Sequence, residues 1–149
     1  MFAAAIFGAS GCGKQDSHAG HSHGKHVHTA PHGGLLVELG DHAYNIELVR
    51  DSASGKLTAY LLDGHAENFI RVAAPSISVT AYVNGARQTL ALAATANPMT
   101  GETAGNTSQF EATADWLKTA GDFNGEVGPV EIRGTKFAPA AFALPKARR

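Results

Sequence analysis

The sequence predicts an all-β domain behind a histidine-rich, disordered tether. Three observations carry that expectation. Short apolar runs with period-two alternation recur from Leu35 onward, an Asn84-Gly85 pair separates two of them, and Gly, Ser and His crowd the segment ahead of them. With the N-terminal segments set aside, about 115 residues remain for a core, enough for one domain. Apolar residues make up 44% of the 149-residue chain and aromatics 7%, with much of the apolar share being Ala. The core is therefore expected to be modest and built from Val, Ile, Leu and a few rings.

The first element is residues 1–12. Met1 to Ala9 (MFAAAIFGA) is an apolar run too short to span a bilayer, which takes roughly 20 apolar residues, and it ends in Ser10 and Gly11 directly before Cys12. This arrangement resembles the lipobox of bacterial lipoprotein signal peptides. The resemblance implies lipidation of Cys12, a mature N-terminus at that residue, and a periplasmic lipoprotein of the cell envelope held to a membrane by its lipid anchor. An ordinary export segment is the alternative. Gly8 to Lys14 also matches the G-x-x-x-x-G-K spacing of a phosphate loop, but Gln15 stands where Ser or Thr would hold Mg²⁺ and no apolar helix follows. Cys12 is the single cysteine, so no intrachain disulfide forms.

Residues 13–33 form the tether. Six of the eight histidines fall here, namely His18, His21, His23, His26, His28 and His32, interleaved with Gly, Ala, Ser and Lys. A segment so polar and Gly-rich buries too little to offset its ordering entropy, so disorder is expected until a ligand orders it. Spacings of two and three residues let a flexible chain bring several imidazoles to one ion through short loops that close at little cost. With nitrogen ligands and no core thiolate, the implied cofactor is a divalent transition metal, Cu²⁺, Zn²⁺ or Ni²⁺, with intrinsic affinity highest for Cu²⁺. Free imidazole titrates near about 6.5, so such a site binds at neutral pH and releases its ion in acid. A passive polar spacer is the alternative.

Residues 34–140 read as strand after strand. Leu35 to Leu39 precede a Gly40-Asp41 turn, and Tyr44, Ile46 and Leu48 then alternate with Asn45 and Glu47. Asp51 to Lys56 is a loop into Leu57 to Leu62. A type I′ turn at Asn84-Gly85 pairs Val83 with Ala86, Val79 with Leu90 and Ile77 with Leu92, and sets Thr80 opposite Thr89. After a Gly- and Asn-rich loop come a strand at Gln109 to Ala112, a helical turn around Ala114 to Thr119 anchored by Trp116, and strands near Glu126 to Phe137. Seven or eight short strands predict an antiparallel β-sandwich, Ig-like or related. Residues 141–149 are expected as a solvated basic tail.

Pro31-His32-Gly33-Gly34 leading into Leu35 to Gly40, then Tyr44 to Val49 and Ala59 to Asp63, resembles the small β-rich extension at the N-terminus of periplasmic adaptor subunits of heavy-metal efflux systems. The likeness runs from about Pro31 to Val72. It implies a metal-binding accessory part and a metal efflux or uptake component as partner.

Weaker candidate ligands lie on the domain: His42, His65, Asp63 and Glu67, which with His32 are expected near one another at strand ends. Asp122 to Glu126 is read as a plain turn. A net charge of -1 argues against nucleic acid as a partner. No nucleophile elbow, zincin motif, dinucleotide fingerprint or carboxylate pair in an apolar setting is present, so no enzyme activity is expected. The sequence thus favours an envelope lipoprotein that binds or buffers a transition metal, with a non-enzymatic interaction module of the envelope as the alternative.

Overall fold

A computed structural model describes residues 28–146. Cys12, His18, His21, His23 and His26 lie outside the described residues, as do the last three positions.

Among the described residues, ten strands and one short helix follow in chain order: β1 (Leu35–Leu39), β2 (Tyr44–Asp51), β3 (Lys56–Asp63), β4 (Ser76–Val83), β5 (Ala86–Ala94), β6 (Gln109–Thr113), α1 (Trp116–Thr119), β7 (Phe123–Val127), β8 (Val130–Ile132), β9 (Thr135–Phe137) and β10 (Ala140–Leu144). Eight strands share one antiparallel sheet in the order β1-β2-β3-β6-β5-β4-β7-β10, and β8 with β9 forms a separate ribbon. β1 and β10 approach each other, so the sheet curls nearly into a barrel. The all-β, antiparallel expectation holds, whereas the two separate sheets of a sandwich are not what this connectivity describes. Period-two alternation specifies which side chains face inward but not whether one curled sheet or two stacked ones enclose them.

The inward faces supply the core expected from Val, Ile and Leu. Ile46 and Leu48 of β2 meet Leu57, Ala59 and Leu61 of β3, Val79 and Ala81 of β4, Leu92 of β5, Phe110 of β6 and Val127 of β7, all buried. The β4–β5 hairpin has the anticipated register, including Thr80 opposite Thr89. Its turn residues Asn84 and Gly85 take φ of 49° and 79°, as a type I′ turn requires.

Two sequence expectations change near the C-terminus. The segment 141–149, expected as a tail, starts inside β10, which pairs along its whole length with β7 and buries Phe142 and Leu144. Three alanines in Ala140 to Leu144 dilute the alternation that would otherwise mark it. Asp122 to Glu126, read as a turn, lies largely in β7. Gly125 there faces the Phe142 ring and the Thr80 carbonyl so closely that no Cβ fits.

Helix α1 closes one end. Leu117, rather than Trp116, is its fully buried anchor, while Trp116 is partly buried edge-on to Phe123 at 5.4 Å. The helix is a single turn, so its last carbonyls need outside donors. Arg50 of β2, 8% exposed, provides them: Nε and Nη2 donate to Leu117 O, Nη2 to Ala120 O, and Nη1 to Gly121 O, at 2.6–3.0 Å. Burial pushes the guanidinium pKa down from its ordinary value and Asp122 acts against that shift. Among the described residues no helix is long and apolar enough to cross a membrane.

Arg50→Met retains the apolar stem and strands these three carbonyls. Urea unfolding should report a loss of about 2–4 kcal/mol, the cost of buried acceptors without donors.

Candidate functional site

The site begins with a residue that strand periodicity assigned to solvent. Glu47 lies on the outward face of β2, opposite Leu36 of β1 and Tyr60 of β3, yet it is fully buried. What covers it is the segment just before β1. Glu47 Oε1 accepts the backbone N–H groups of His32 (2.8 Å) and Gly34 (2.9 Å), and Oε2 lies 2.9 Å from His32 Nδ1. Two glycines make this possible. Gly33 turns the chain at φ 71°, and Gly34 sits 2.5 Å, measured from where a Cβ would be, from the Leu48 carbonyl, a distance no side chain tolerates. The Pro31-His32-Gly33-Gly34 motif is thus a loop fitted over a carboxylate.

His32 is held on three sides. Its ring stacks on Tyr60 at 3.9 Å and 15°, with Phe69 tilted against it at 5.7 Å. A carboxylate offers only acceptors, so the ring donates from Nδ1, and in the neutral ring the lone pair is on Nε2. Among the described residues nothing hydrogen-bonds to Nε2, and the side chain is 37% exposed. A carboxylate behind an imidazole is the arrangement that orients metal-ligating histidines and raises their basicity. Burial and then the Glu111 charge push the Tyr60 phenol up from its ordinary pKa; Lys56 opposes them and Glu47 adds to them. Tyr60 is accordingly a neutral stacking platform at physiological pH.

His32 forms part of the wall of a cavity of about 310 Å³ that also includes Tyr60, Phe69, Arg71 and Glu102. Glu102 is 6% exposed; its Oε1 accepts from Ser108 N (3.0 Å) and Ser108 Oγ (2.7 Å) and lies 3.4 Å from Arg71 Nε. Burial raises its pKa, but the Ser108 and Thr100 hydrogen bonds and the Arg71 charge outweigh burial and hold it below the ordinary carboxylate value.

The remaining domain candidates separate into two places. His65 does not join His32; it packs edge-on against His28, ring centres 5.6 Å apart. Asp63, expected as a ligand, has both carboxylate oxygens occupied within its own turn, Oδ1 by Glu67 N at 2.9 Å and Oδ2 by Asn68 Nδ2 at 2.6 Å. The Asn68 hydrogen bond is the main reason its pKa lies below the usual value. The Glu67 side chain is exposed. His42 instead gathers with Glu38 and Asp41, one ligand atom of each within 4.8 Å of the others, all exposed, with His42 Nδ1 3.1 Å from Glu38 Oε2. His18, His21, His23, His26 and Cys12 are outside the described residues. Sequence reasoning missed Glu47, Tyr60 and Glu102. Glu47 was visible only as the polar half of an alternating strand, indistinguishable from a solvated one.

No family model, curated protein or solved structure matches the chain.

Two outcomes are expected. In Glu47→Gln the amide NH₂ can face Nδ1, so the ring proton moves to Nε2; ¹⁵N spectra of the His32 ring at neutral pH should show that exchange of tautomers. Because the folded-state pKa of Glu102 is depressed, its contribution is full above the ordinary carboxylate pKa and is lost as pH falls below it, through the depressed folded-state value. The stability gap between the wild type and Glu102→Gln, about 1–2 kcal/mol at neutrality, should therefore narrow on acidification in thermal unfolding.

Proposed function

We propose that the protein is a non-enzymatic component of the cell envelope, anchored through a lipid on Cys12, that binds or buffers a divalent transition metal through its histidines and passes it to an efflux or uptake partner. The metal is Cu²⁺, Zn²⁺ or Ni²⁺, since the ligands offered are imidazoles and carboxylates without a core thiolate. The single observation that supports this function best is the seating of the tract's end on the domain. His32 is oriented by a fully buried carboxylate with its Nε2 free. A spacer with no chemical duty has no need of such an arrangement.

The two segments then divide the work. The six tract histidines give capacity, and the fitted loop ties that capacity to a folded surface a partner can recognise. His42 with Glu38 and Asp41 adds an exposed cluster of suitable donor types on the same domain.

Calorimetric titration of the protein with each ion at about pH 7.4 and about pH 5.5 provides the test. Micromolar or tighter binding at the higher pH, lost at the lower, is expected and would identify the metal. Binding no tighter than millimolar at both would replace this function with that of an envelope interaction module.

A further inference from the structure

We infer that His28 and His65 form a metal half-site on the folded domain that takes one divalent transition ion independently of the four histidines upstream. This deepens the metal-binding function proposed above and rests on it.

The geometry is that of two imidazoles able to share an ion. Their ring centres are 5.6 Å apart and their planes inclined at 71°. Metal–nitrogen bonds of about 2.0–2.1 Å place two ring centres about 5–6 Å apart when the angle at the metal is tetrahedral or somewhat wider. The separation of the rings is thus already that of two rings on one ion, and rotation about the side-chain bonds turns a nitrogen of each toward it.

His65 is held by structure that does not depend on the metal, and so is the segment that follows His28. His65 sits in a turn closed by Ala66 N donating to Asp63 O at 3.0 Å and Asp63 N donating to Asn68 O at 2.9 Å, and braced by the two Asp63 carboxylate bonds. His28 opens the segment that the Ala30 O to Gly33 N turn and the Glu47 carboxylate tie down. Rings carried on or beside fixed backbone lose less entropy on binding than rings gathered from a free chain. This is the difference between a site and a tract.

The ligand set is incomplete. Among the described residues no third His, Cys, Asp or Glu places a ligand atom with theirs; the one such group of three is Glu38, Asp41 and His42. His65 is exposed and His28 partly so. An ion held here keeps open positions for water or for an incoming ligand, which suits transfer rather than storage. Packing of two metal-free rings is the alternative that the experiment must exclude.

The experiment uses the full chain and Cu²⁺ alone, comparing the wild type with H18A/H21A/H23A/H26A and with that variant carrying His65→Ala in addition, by calorimetry and electron paramagnetic resonance. The fourfold variant is expected to retain one equivalent of bound ion with nitrogen hyperfine structure. Since loss of an outer-shell partner alone weakens metal sites about 10–100-fold, removing His65 as a direct ligand should weaken this equivalent at least as much. Substoichiometric Cu²⁺ should also broaden the ring signals of His28 and His65 together in the fourfold variant, a readout that needs no further substitution. If the fourfold variant binds nothing while the wild type binds, the half-site is overturned and the tract function stands. If it retains an ion that His65→Ala leaves untouched, the half-site is again overturned and the ion belongs elsewhere on the domain. If the wild type itself binds nothing, both fall.

Discussion

The region around His32 depends on the need of one buried carboxylate for donors. Glu47 has no exposure to water, and an ionised group in such a place costs several kcal/mol unless it is paired and hydrogen-bonded. Its donors are not neighbours on the sheet. They are two backbone N–H groups and a ring nitrogen from residues 32–34, so satisfying Glu47 requires the chain to fold over it in one way. Gly34 is close enough to the Leu48 carbonyl that only a residue without a side chain completes the contact. The end of the histidine tract thus becomes part of the domain, and His32 arrives with one nitrogen engaged and the other free.

The same strand solves a second problem three residues later. Arg50, also buried, turns toward α1 and supplies donors to carbonyls that a one-turn helix cannot satisfy internally. Its guanidinium carbon stands 5.5 Å from the centre of the Phe123 ring, which joins β2 to the strand that follows α1. β2 therefore carries the apolar core on Ile46 and Leu48 while its charged residues organise irregular chain at two separate points. Both devices are specific because the alternative is a buried polar group left without a partner, which costs more than the bond itself contributes.

In the metal-binding role proposed above, the described histidines favour exchange over permanent retention. A structural zinc site closes four protein ligands around its ion. Here His32 is oriented singly, His28 and His65 stand as a pair, and His42 shares an exposed group with two carboxylates. For that proposed role, donors in ones, twos and threes at partly or fully exposed positions suit an ion that is exchanged rather than kept.

Much of the fold was legible from local pattern. The alternation in Tyr44 to Leu48, the turn chemistry of Asn84-Gly85 and the whole register of the hairpin it closes follow from side-chain period and positive φ, which neighbouring residues alone decide. The tract's composition likewise pointed to imidazole chemistry. Other features required the tertiary structure. Whether β2's outward side chains meet water or another chain segment depends on what folds over them, and alternation carries no information about that; Glu47 and Asn45 look polar and solvated in the sequence and are buried in the structure. β10 was hidden because alanine contributes little to periodicity, and it earns its place only by pairing with β7. The choice of ligands followed the same logic: residue type nominated Asp63 and His65 together, but Asp63 is occupied by its own turn and His65 found His28, because distance across the fold decides which donors can share an ion.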